Sequence, residues 1–254
     1  MTYKSKIEKA KNLFSLSPRE DGFLQRVFSG GIEKYKSRLE RINFNEQLDV
    51  LDAGCGYGQW SIAFSEHSKT VTGVDISSKR IEVARYLSED LTTVNFSVAP
   101  LSFLPFEDNS FDYIVCYSAI YYADIHKVLK EFKRVLKNKG LIYISTNSYG
   151  WYLMNIIKKP NTSIDFDPRK YALRTFYETF RYRFFSIPPS QRGSIVTSKR
   201  YMLKILAEHN YIILQCGHEG HLSFNLKFDK PNAFFQSKFL GLDCCIELVC
   251  ENIK

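Results

Sequence analysis

Long apolar segments are missing from this sequence of 254 residues. Its apolar runs fall far short of the roughly 20 residues that a membrane-spanning helix needs, which argues against a membrane span. The first six residues, Met1–Lys6, are followed by further charged residues and lack the apolar stretch of a secretory signal peptide. Internal repeats and low-complexity segments are also missing. We therefore expect a soluble cytoplasmic protein.

Cysteine pairs with the spacing of metal ligands are missing as well. The six cysteines include no C-x-x-C pair, and most of them lie in apolar, strand-like runs. They are Cys55, Cys116, Cys216, Cys244, Cys245 and Cys250. We predict buried, reduced thiols and no metal site.

Clusters of basic residues are missing although the net charge is +8. Lysines and arginines are scattered, and no run reaches five. Solvated helix faces account for such a distribution, so we do not expect a nucleic acid partner. The charge nevertheless leaves two alternatives open, an RNA partner and an anionic small molecule.

The strongest positive feature is the segment Val50–Gly58, where an apolar run ends in a glycine-rich turn before a predicted helix. A turn this rich in glycine lets the backbone approach a ligand closely. A second apolar run ends at Asp75, and an acid at such a strand end can accept hydrogen bonds from a ribose. Gln59 stands where the dinucleotide-binding fingerprint has its third glycine. The two segments predict a cofactor site of a different kind.

The D-x-G-x-G-x-G pattern of residues 52–58 resembles motif I of the class I S-adenosylmethionine-dependent methyltransferases. The likeness continues in the family's order through Gly73–Ser77, Leu104–Asp112 and Val128–Gly140, and covers roughly residues 46–147. Within the family, the sequence is similar to the small-molecule methyltransferases of ubiquinone/menaquinone, sugar and natural-product type. The resemblance implies S-adenosylmethionine as the cofactor and S-adenosylhomocysteine as its product.

Apolar patterning predicts an α/β fold. Strands at 48–53, 69–75, 94–98, 111–117 and 141–146 alternate with helices, which favours a parallel sheet covered on both faces. An apolar stripe over 125–136 predicts a helix that Gly140 terminates. Segments 211–217 and 243–251 look like the closing strand pair. The resemblance implies a Rossmann-like, doubly wound, mostly parallel sheet of seven strands.

Four regions follow from this pattern. We predict an N-terminal helical cap over residues 1–44, an S-adenosylmethionine-binding core over 45–147, an aromatic-rich insertion after strand five over 148–197, and a C-terminal helix with the closing strand pair over 198–254. We interpret the insertion as a lid over the acceptor site. Two alternatives for this insertion stay open, an aromatic core of a further helical layer and a subunit interface. The oligomeric state, monomer or homodimer, stays open as well.

The resemblance assigns the ribose hydroxyls to Asp75 and gives Asp52 either the support of the turn or the cofactor amine. The predicted cofactor-binding residues are Asp52, Gly54, Cys55, Gly56, Gly58, Asp75, Ile76, Leu101 and Tyr117. One departure stands out, because Pro100 occupies the place where the family often has an aspartate for the adenine amine. Backbone groups near Leu101 are left to contact the adenine edge.

The segment 116–122 after the fourth strand lacks the motifs of enzymes that methylate nucleic acid bases, and paired glutamates of the arginine-methylating kind are absent. We therefore expect a small-molecule acceptor, methylated on O or N in a biosynthetic pathway, with a sugar or nucleotide sugar as one candidate. Predicted acceptor-side residues are Tyr121, Tyr122, Asn147 and Tyr149, and predicted catalytic bases are His218 and His221. The alternatives are an RNA or tRNA methyltransferase and a catalytically silent partner subunit.

Overall fold

The computed structural model describes residues 3–42, 44, 47–160, 165–191, 193–224 and 232–254. Small parts of the predicted cap, core, insertion and closing region therefore lie outside the described residues. These parts are residues 1–2, 43, 45–46, 161–164, 192 and 225–231.

Helices and strands alternate through the middle of the chain, as the apolar patterning predicts. The helices are α1 Tyr3–Leu13, α2 Pro18–Phe28, α3 Glu33–Leu39, α4 Gln59–Phe64, α5 Ser78–Leu87, α6 Ile125–Val135, α7 Tyr149–Ile157, α8 Pro168–Phe185 and α9 Lys199–Glu208. The strands are β1 Asp49–Ala53, β2 Thr70–Asp75, β3 Val94–Val98, β4 Phe111–Tyr117, β5 Leu136–Asn147, β6 Tyr211–His218, β7 Lys238–Phe239, β8 Leu242–Asp243 and β9 Cys245–Asn252.

Seven strands form one sheet in the order β3-β2-β1-β4-β5-β9-β6, which confirms the predicted doubly wound architecture. Strands β1 to β5 pair in parallel, and β9 is antiparallel to both β5 and β6. The strand order changes direction between β1 and β4. In such sheets a crevice opens at that point, outside the carboxyl ends of the strands, and ligands bind there.

Alternation along the strands places a separate apolar core on each face of the sheet. In β4, Ile114 and Cys116 pack in the core that includes α6 and α9, whereas Tyr113 and Val115 pack with α3 and α4. Successive strand residues point to opposite faces, so an unbroken apolar run such as this one is typical of a strand that is covered on both sides. All six cysteines are free thiols, and five of them are buried.

The predicted role of Gly140 is wrong. Helix α6 ends at Val135, β5 starts at Leu136, and Gly140 lies inside that strand. The pairing of β5 with β4 shifts register next to Gly140. A Cβ there would lie 2.8 Å from Cγ of Leu136 and 3.0 Å from the carbonyl oxygen of Asp112, so close packing inside the strand explains the glycine.

The N-terminal helices lie against the start of the core. Ser17 and Glu20 form a capping box at the start of α2, which fixes where that helix begins. From this position the Glu20 carbonyl accepts a hydrogen bond from the Tyr57 hydroxyl at 3.2 Å, and the Glu20 carboxylate pairs with Lys79 at 3.1 Å. Helix α2 is thereby held next to the glycine-rich turn.

Helices α7 and α8 follow the carboxyl end of β5 and pack on each other around buried Tyr152 and Ala172. Every helix within the described ranges is too short or too polar to cross a bilayer.

Candidate cofactor and acceptor site

The glycine-rich turn and Asp75 meet at the point where the strand order changes. Ala53 of β1 pairs with Val74 of β2, so the residues that follow each strand are neighbours. The N–H groups of Gly54 and Cys55 donate to the Val74 carbonyl at 2.8 and 2.9 Å. The Gly56 N–H donates to Oδ2 of Asp75 at 3.1 Å. The two predicted halves of the site are therefore hydrogen-bonded to each other.

Gly54 and Gly56 of the turn differ in what surrounds their Cβ positions. Gly54 has a φ of +83°, and a Cβ there would lie 2.3 Å from Cβ of Ala119, because the chain after β4 packs directly on the turn. Gly56 has a φ of +57°, but the nearest atom to its Cβ position, in Phe23 or Gln59, is 3.8 Å away. Both need the left-handed region, and the Cβ position of the buried Gly56 is at ordinary van der Waals distance from Phe23 and Gln59.

The carboxylate of Asp75 is held in place while it keeps capacity for a ligand. Its Oδ1 accepts from the Ser77 N–H at 2.9 Å, its Oδ2 accepts from Gly56, and Nη1 of Arg80 lies 3.6 Å from Oδ2. Each carboxylate oxygen has two acceptor positions. One position per oxygen therefore remains for a pair of ligand hydroxyls.

Exposed apolar residues lie at the carboxyl ends of β2 and β3 and in the segment that follows β3. Ile76 follows Asp75 and is 72% exposed, and Val98, which is exposed too, is the β3 residue that pairs with Asp75. Phe103, a few residues further on, is also exposed. A carboxylate for hydroxyls beside apolar surface for a planar base fits the adenosine part of S-adenosylmethionine.

Leu101 also lies at the turn, where one of its methyl groups is 3.9 Å from the Cβ position of Gly54. It belongs to a tight turn that the Phe103 N–H closes on the carbonyl of Pro100 at 3.1 Å. Pro100 itself is exposed. The backbone near Leu101 is thus close to the predicted adenine side, where Pro100 offers no carboxylate.

Asp52 lies beneath the turn and is buried. Its Oδ2 accepts from the backbone N–H and the hydroxyl of Ser61, at 3.0 and 2.6 Å. These contacts hold the first turn of α4 against β1. Burial raises the pKa of Asp52 to about 7, the Ser61 hydrogen bonds oppose that shift, and Asp75 adds to it.

This raised pKa predicts a pH-dependent stability. The folded protein keeps the Asp52 proton up to about pH 7, whereas the unfolded chain loses it near the ordinary aspartate pKa of 3.8. The stabilisation is therefore full below pH 3.8 and is lost as the pH rises through 7. With about 1.4 kcal/mol per pKa unit, we expect a loss of about 2–4 kcal/mol in the free energy of unfolding.

Urea denaturation of the wild type and of Asp52→Asn between pH 4 and 8 tests this expectation. Asparagine mimics the protonated acid and does not titrate, so the additional loss should be absent in the variant. Parallel pH profiles for the two proteins would contradict the assignment.

Cys55 and Tyr117 lie further from the open side. Cys55 is buried against Ile81 and Phe96, and burial raises the pKa of its thiol well above the usual value. The ring of Tyr117 lies 5.1 Å from that of Trp60, and its hydroxyl donates to Oε1 of Glu219 at 2.8 Å. The side chain of Tyr117 thus lies on the sheet face covered by α3 and α4.

Three of the predicted acceptor-side residues share one cluster beyond β4 and β5. Nδ2 of Asn147 donates to the Tyr121 hydroxyl at 2.9 Å, and the hydroxyls of Tyr122 and Tyr171 are 3.3 Å apart. The fourth residue, Tyr149, instead accepts from Arg183 at 3.0 Å and lines a separate cleft of about 510 Å³. The cluster combines hydroxyl groups with aromatic rings at the carboxyl ends of the strands.

The two predicted histidines lie at the end of β6, on the edge of the sheet. Four strand spacings separate β6 from β1, which amounts to about 19 Å. Nδ1 of His218 lies 3.5 Å from Oδ1 of Asp243, and Nε2 of His221 lies 3.3 Å from the Ser237 hydroxyl. Burial lowers the pKa of His218, with Asp243 opposing that shift. The structure does not bring this pair next to Asp75.

Sequence reasoning missed two residues at the turn. Phe23 of α2 is 3.8 Å from the Cβ position of Gly56, and Arg80 of α5 lies over the Phe23 ring at 5.5 Å. A basic residue in the first turn of the helix after Asp75 is a signal that could have identified Arg80. Phe23 carried no such signal, because only the tertiary packing of α2 brings it here.

A buried ionic network lies below Tyr117. Nη2 of Arg38 is 2.7 Å from Oε1 of Glu219, and Nη1 is 2.9 Å from Oε2 of Glu247, with all three side chains almost fully buried. The Tyr143 hydroxyl donates to Oε2 of Glu247 at 2.7 Å, and the Asn232 carbonyl accepts from Arg38. The network links α3 to β5, β9 and the segment after β6.

Parts of the chain are similar in sequence to known proteins. Residues 51–144 match a family described as a methyltransferase domain. An uncharacterized methyltransferase, YcgJ of Bacillus subtilis, is 38% identical over 46% of this chain and 47% of its own length. The ubiquinone/menaquinone biosynthesis C-methyltransferase UbiE of Geotalea daltonii is 33% identical over 54% of this chain and 62% of its own length. The chain thus spans between about half and three fifths of these relatives.

Solved structures show the same fold. A putative methyltransferase in complex with the Haloferax volcanii methyltransferase activator Trm112 has a TM-score of 0.61 at 20% identity, covering 93% of both chains. Geranyl diphosphate C-methyltransferase of Streptomyces coelicolor, solved with S-adenosyl-L-homocysteine, has a TM-score of 0.60 at 15% identity over 87% of this chain and 77% of its own. Residues 51–144 are therefore similar to a methyltransferase domain, and the chain as a whole has the fold of these solved structures.

Proposed function

We propose that this protein transfers the methyl group of S-adenosylmethionine to a small organic acceptor. The observation that carries the proposal is the hydrogen bond from Gly56 to Asp75 at the point where the strand order changes. It fixes a carboxylate with free acceptor positions next to an exposed apolar surface around Ile76. This combination supports binding of a nucleoside whose ribose faces the acid.

The residues of the chain act by holding and orienting. Asp75 would accept the ribose hydroxyls, the glycine-rich turn would let the amino acid part come close to the backbone, and Ile76 would pack on the base. The bound cofactor supplies an electrophilic methyl group on a positively charged sulfur. The protein then has to align an acceptor with that group and keep water away, which is a matter of positioning.

The acceptor side favours an aromatic small molecule. Rings and hydroxyls of Tyr121 and Tyr122 cluster with Asn147 beyond β4 and β5. Two similar proteins are named demethylmenaquinone methyltransferase and ubiquinone/menaquinone C-methyltransferase. We therefore propose a quinol-like ring as the first acceptor to test, ahead of the sugar methylated on O or N that the sequence suggested. The described residues of the segment 148–197 would form one wall of its pocket.

The RNA alternative gains little support from the surface. Several of the scattered basic residues are occupied in ion pairs, such as Lys6 with Glu89 and Asp90, Lys36 with Glu33 and Glu66, and Arg134 with Asp108 and Glu131. Phosphate contacts need cations that are free to replace counterions.

Calorimetric titration tests the proposal. We expect micromolar binding of S-adenosylmethionine and S-adenosylhomocysteine. NADH is the control and should not bind, because Gln59 stands where the dinucleotide-binding fingerprint has its third glycine. Absence of binding by both sulfur compounds would overturn the proposal and move the silent-subunit alternative forward.

A transfer assay with radiolabelled S-adenosylmethionine then separates the acceptors. A demethylated quinol, a panel of nucleotide sugars and bulk tRNA are offered side by side. We expect label in the quinol only. Label in the sugars would restore the original expectation, and label in tRNA would replace the proposal.

A further inference from the structure

Helix α8 carries an apolar stripe that no described part of the protein covers. Leu173, Tyr177, Phe180 and Phe184 are 55%, 61%, 51% and 72% exposed. Their spacing of three or four residues puts them within about 60° of one another around the helix axis. The stripe is about 16 Å long at 1.5 Å per residue. A continuous exposed patch of large side chains marks an interaction surface.

The opposite face of α8 anchors the helix to the protein. The Tyr182 hydroxyl donates to Oδ1 of Asp124 at 2.9 Å and accepts from the Ile125 N–H at 3.1 Å. The Thr179 hydroxyl accepts from the Val196 N–H at 2.8 Å. The helix is thus fixed above the connection between β4 and α6, and its outward stripe is a permanent feature of the surface.

The charged residues that border the stripe of α8 are all basic. The helix contains five basic residues, Arg169, Lys170, Arg174, Arg181 and Arg183. Its one acid, Glu178, is buried and pairs with Arg181 at 3.1 Å. By helix geometry, Lys170, Arg174 and Arg181 flank one side of the stripe, and Arg169 and Arg183 flank the other.

We infer that α8 docks on the surface of an anionic lipid bilayer, with the stripe inserted at the level of the headgroups. Aromatic and leucine side chains on one face, bordered by lysine and arginine, are the pattern of a helix that lies in the plane of a membrane interface. Within the described residues, Arg169, Lys170 and Arg183 of these borders form no ion pair, unlike Arg174 and Arg181, and they match anionic headgroups. Pairing α8 with a second copy would instead bring the two sets of like charges together.

Docking in this orientation brings the predicted acceptor side close to the bilayer. Tyr171 of α8 lies 3.3 Å from Tyr122, hydroxyl to hydroxyl. Because Tyr171 is on the face of α8 away from the stripe, the aromatic cluster would lie about one helix diameter, roughly 10 Å, from the bilayer. The surface itself does not depend on the proposed function, because it rests on α8 alone.

Cosedimentation of the full chain with vesicles tests the inference. We expect binding to vesicles of phosphatidylcholine containing phosphatidylglycerol, and weaker binding to phosphatidylcholine alone. The double variant Phe180→Ser/Phe184→Ser should bind at least about tenfold more weakly because it removes two inserted rings. Lys170→Glu should weaken binding only to the anionic vesicles.

The matched control is Leu13→Ser, which removes a side chain that is 62% exposed on α1, a helix that packs against α5 and α2. It should bind vesicles as the wild type does. The inference is overturned if the wild type does not bind anionic vesicles at low salt, or if the double variant binds equally well. A wild-type dimer that the double variant converts to a monomer, without vesicle binding, would identify the stripe as an interface between copies. Cofactor titration of the same variants should be unchanged, which keeps the two proposals separate.

Discussion

Arg38→Met is expected to lower the free energy of unfolding by about 3–5 kcal/mol, the range measured when one partner of a buried ion pair is removed. Methionine fills a similar volume but leaves Glu219 and Glu247 buried without a cation. Burial opposes the charge of Arg38, yet the groups around it outweigh burial and raise its pKa. The guanidinium is therefore charged at every accessible pH. Urea denaturation at neutral pH measures the loss.

A surface pair provides the comparison. Lys69 lies 3.2 Å from Asp49, but its side chain is 62% exposed, so Lys69→Met should cost less than about 1 kcal/mol. Arg38→Met/Glu219→Gln/Glu247→Gln should regain part of the loss, because no unpaired charge remains. If the free energy of unfolding of Arg38→Met lies within about 1 kcal/mol of the wild-type value, the network does not stabilise the fold in the way described above.

Asp75→Ala is expected to weaken S-adenosylmethionine binding by about 10²- to 10⁴-fold. Hydrogen bonds to a charged group contribute about 1.5–3 kcal/mol each, and two ribose hydroxyls would lose their acceptor. The variant also leaves the N–H groups of Gly56 and Ser77 without their partner, so the turn itself becomes less ordered. Isothermal titration below the thermal transition measures the change.

Glu82→Ala is the matched control for Asp75→Ala. It removes an acid that is exposed on α5, close in sequence but outside the site, and should leave the affinity as it is. Circular dichroism confirms that both variants are folded. Equal affinities of wild type and Asp75→Ala would mean that this carboxylate does not hold the ribose.

Local patterns were enough to predict the centre of this fold. The runs that form β1 and β4 place apolar residues on both faces, which is typical of a sheet that is covered on both sides. Gly54 and Gly56 stand in a turn whose positive φ values a side chain would resist. Gly140 was assigned wrongly because a glycine after a helical stripe is equally compatible with a helix end and with tight packing in a strand.

Features that depend on distant partners could not be predicted in this way. Arg38 is one basic residue of an ordinary amphipathic helix until β9 and the segment after β6 place two glutamates around it. The sequence shows how many aromatic residues lie in the segment 148–197. Only the packing of α8 shows which of them, such as Phe184, face outward. The positions of His218 and His221 depended on where β6 lies in the sheet order.

The strand order also has a consequence for synthesis of the chain on the ribosome. β9 is made last of the strands but lies between β5 and β6, and Arg38 pairs with Glu247, 209 positions later. Nascent chains emerge at about 5–20 residues per second, so Arg38 leaves the ribosome on the order of ten seconds or more before its partner. Until then β5 and β6 expose unpaired edges, where another chain can add. We expect this interval to be the one in which a chaperone has most effect on the yield of folded protein.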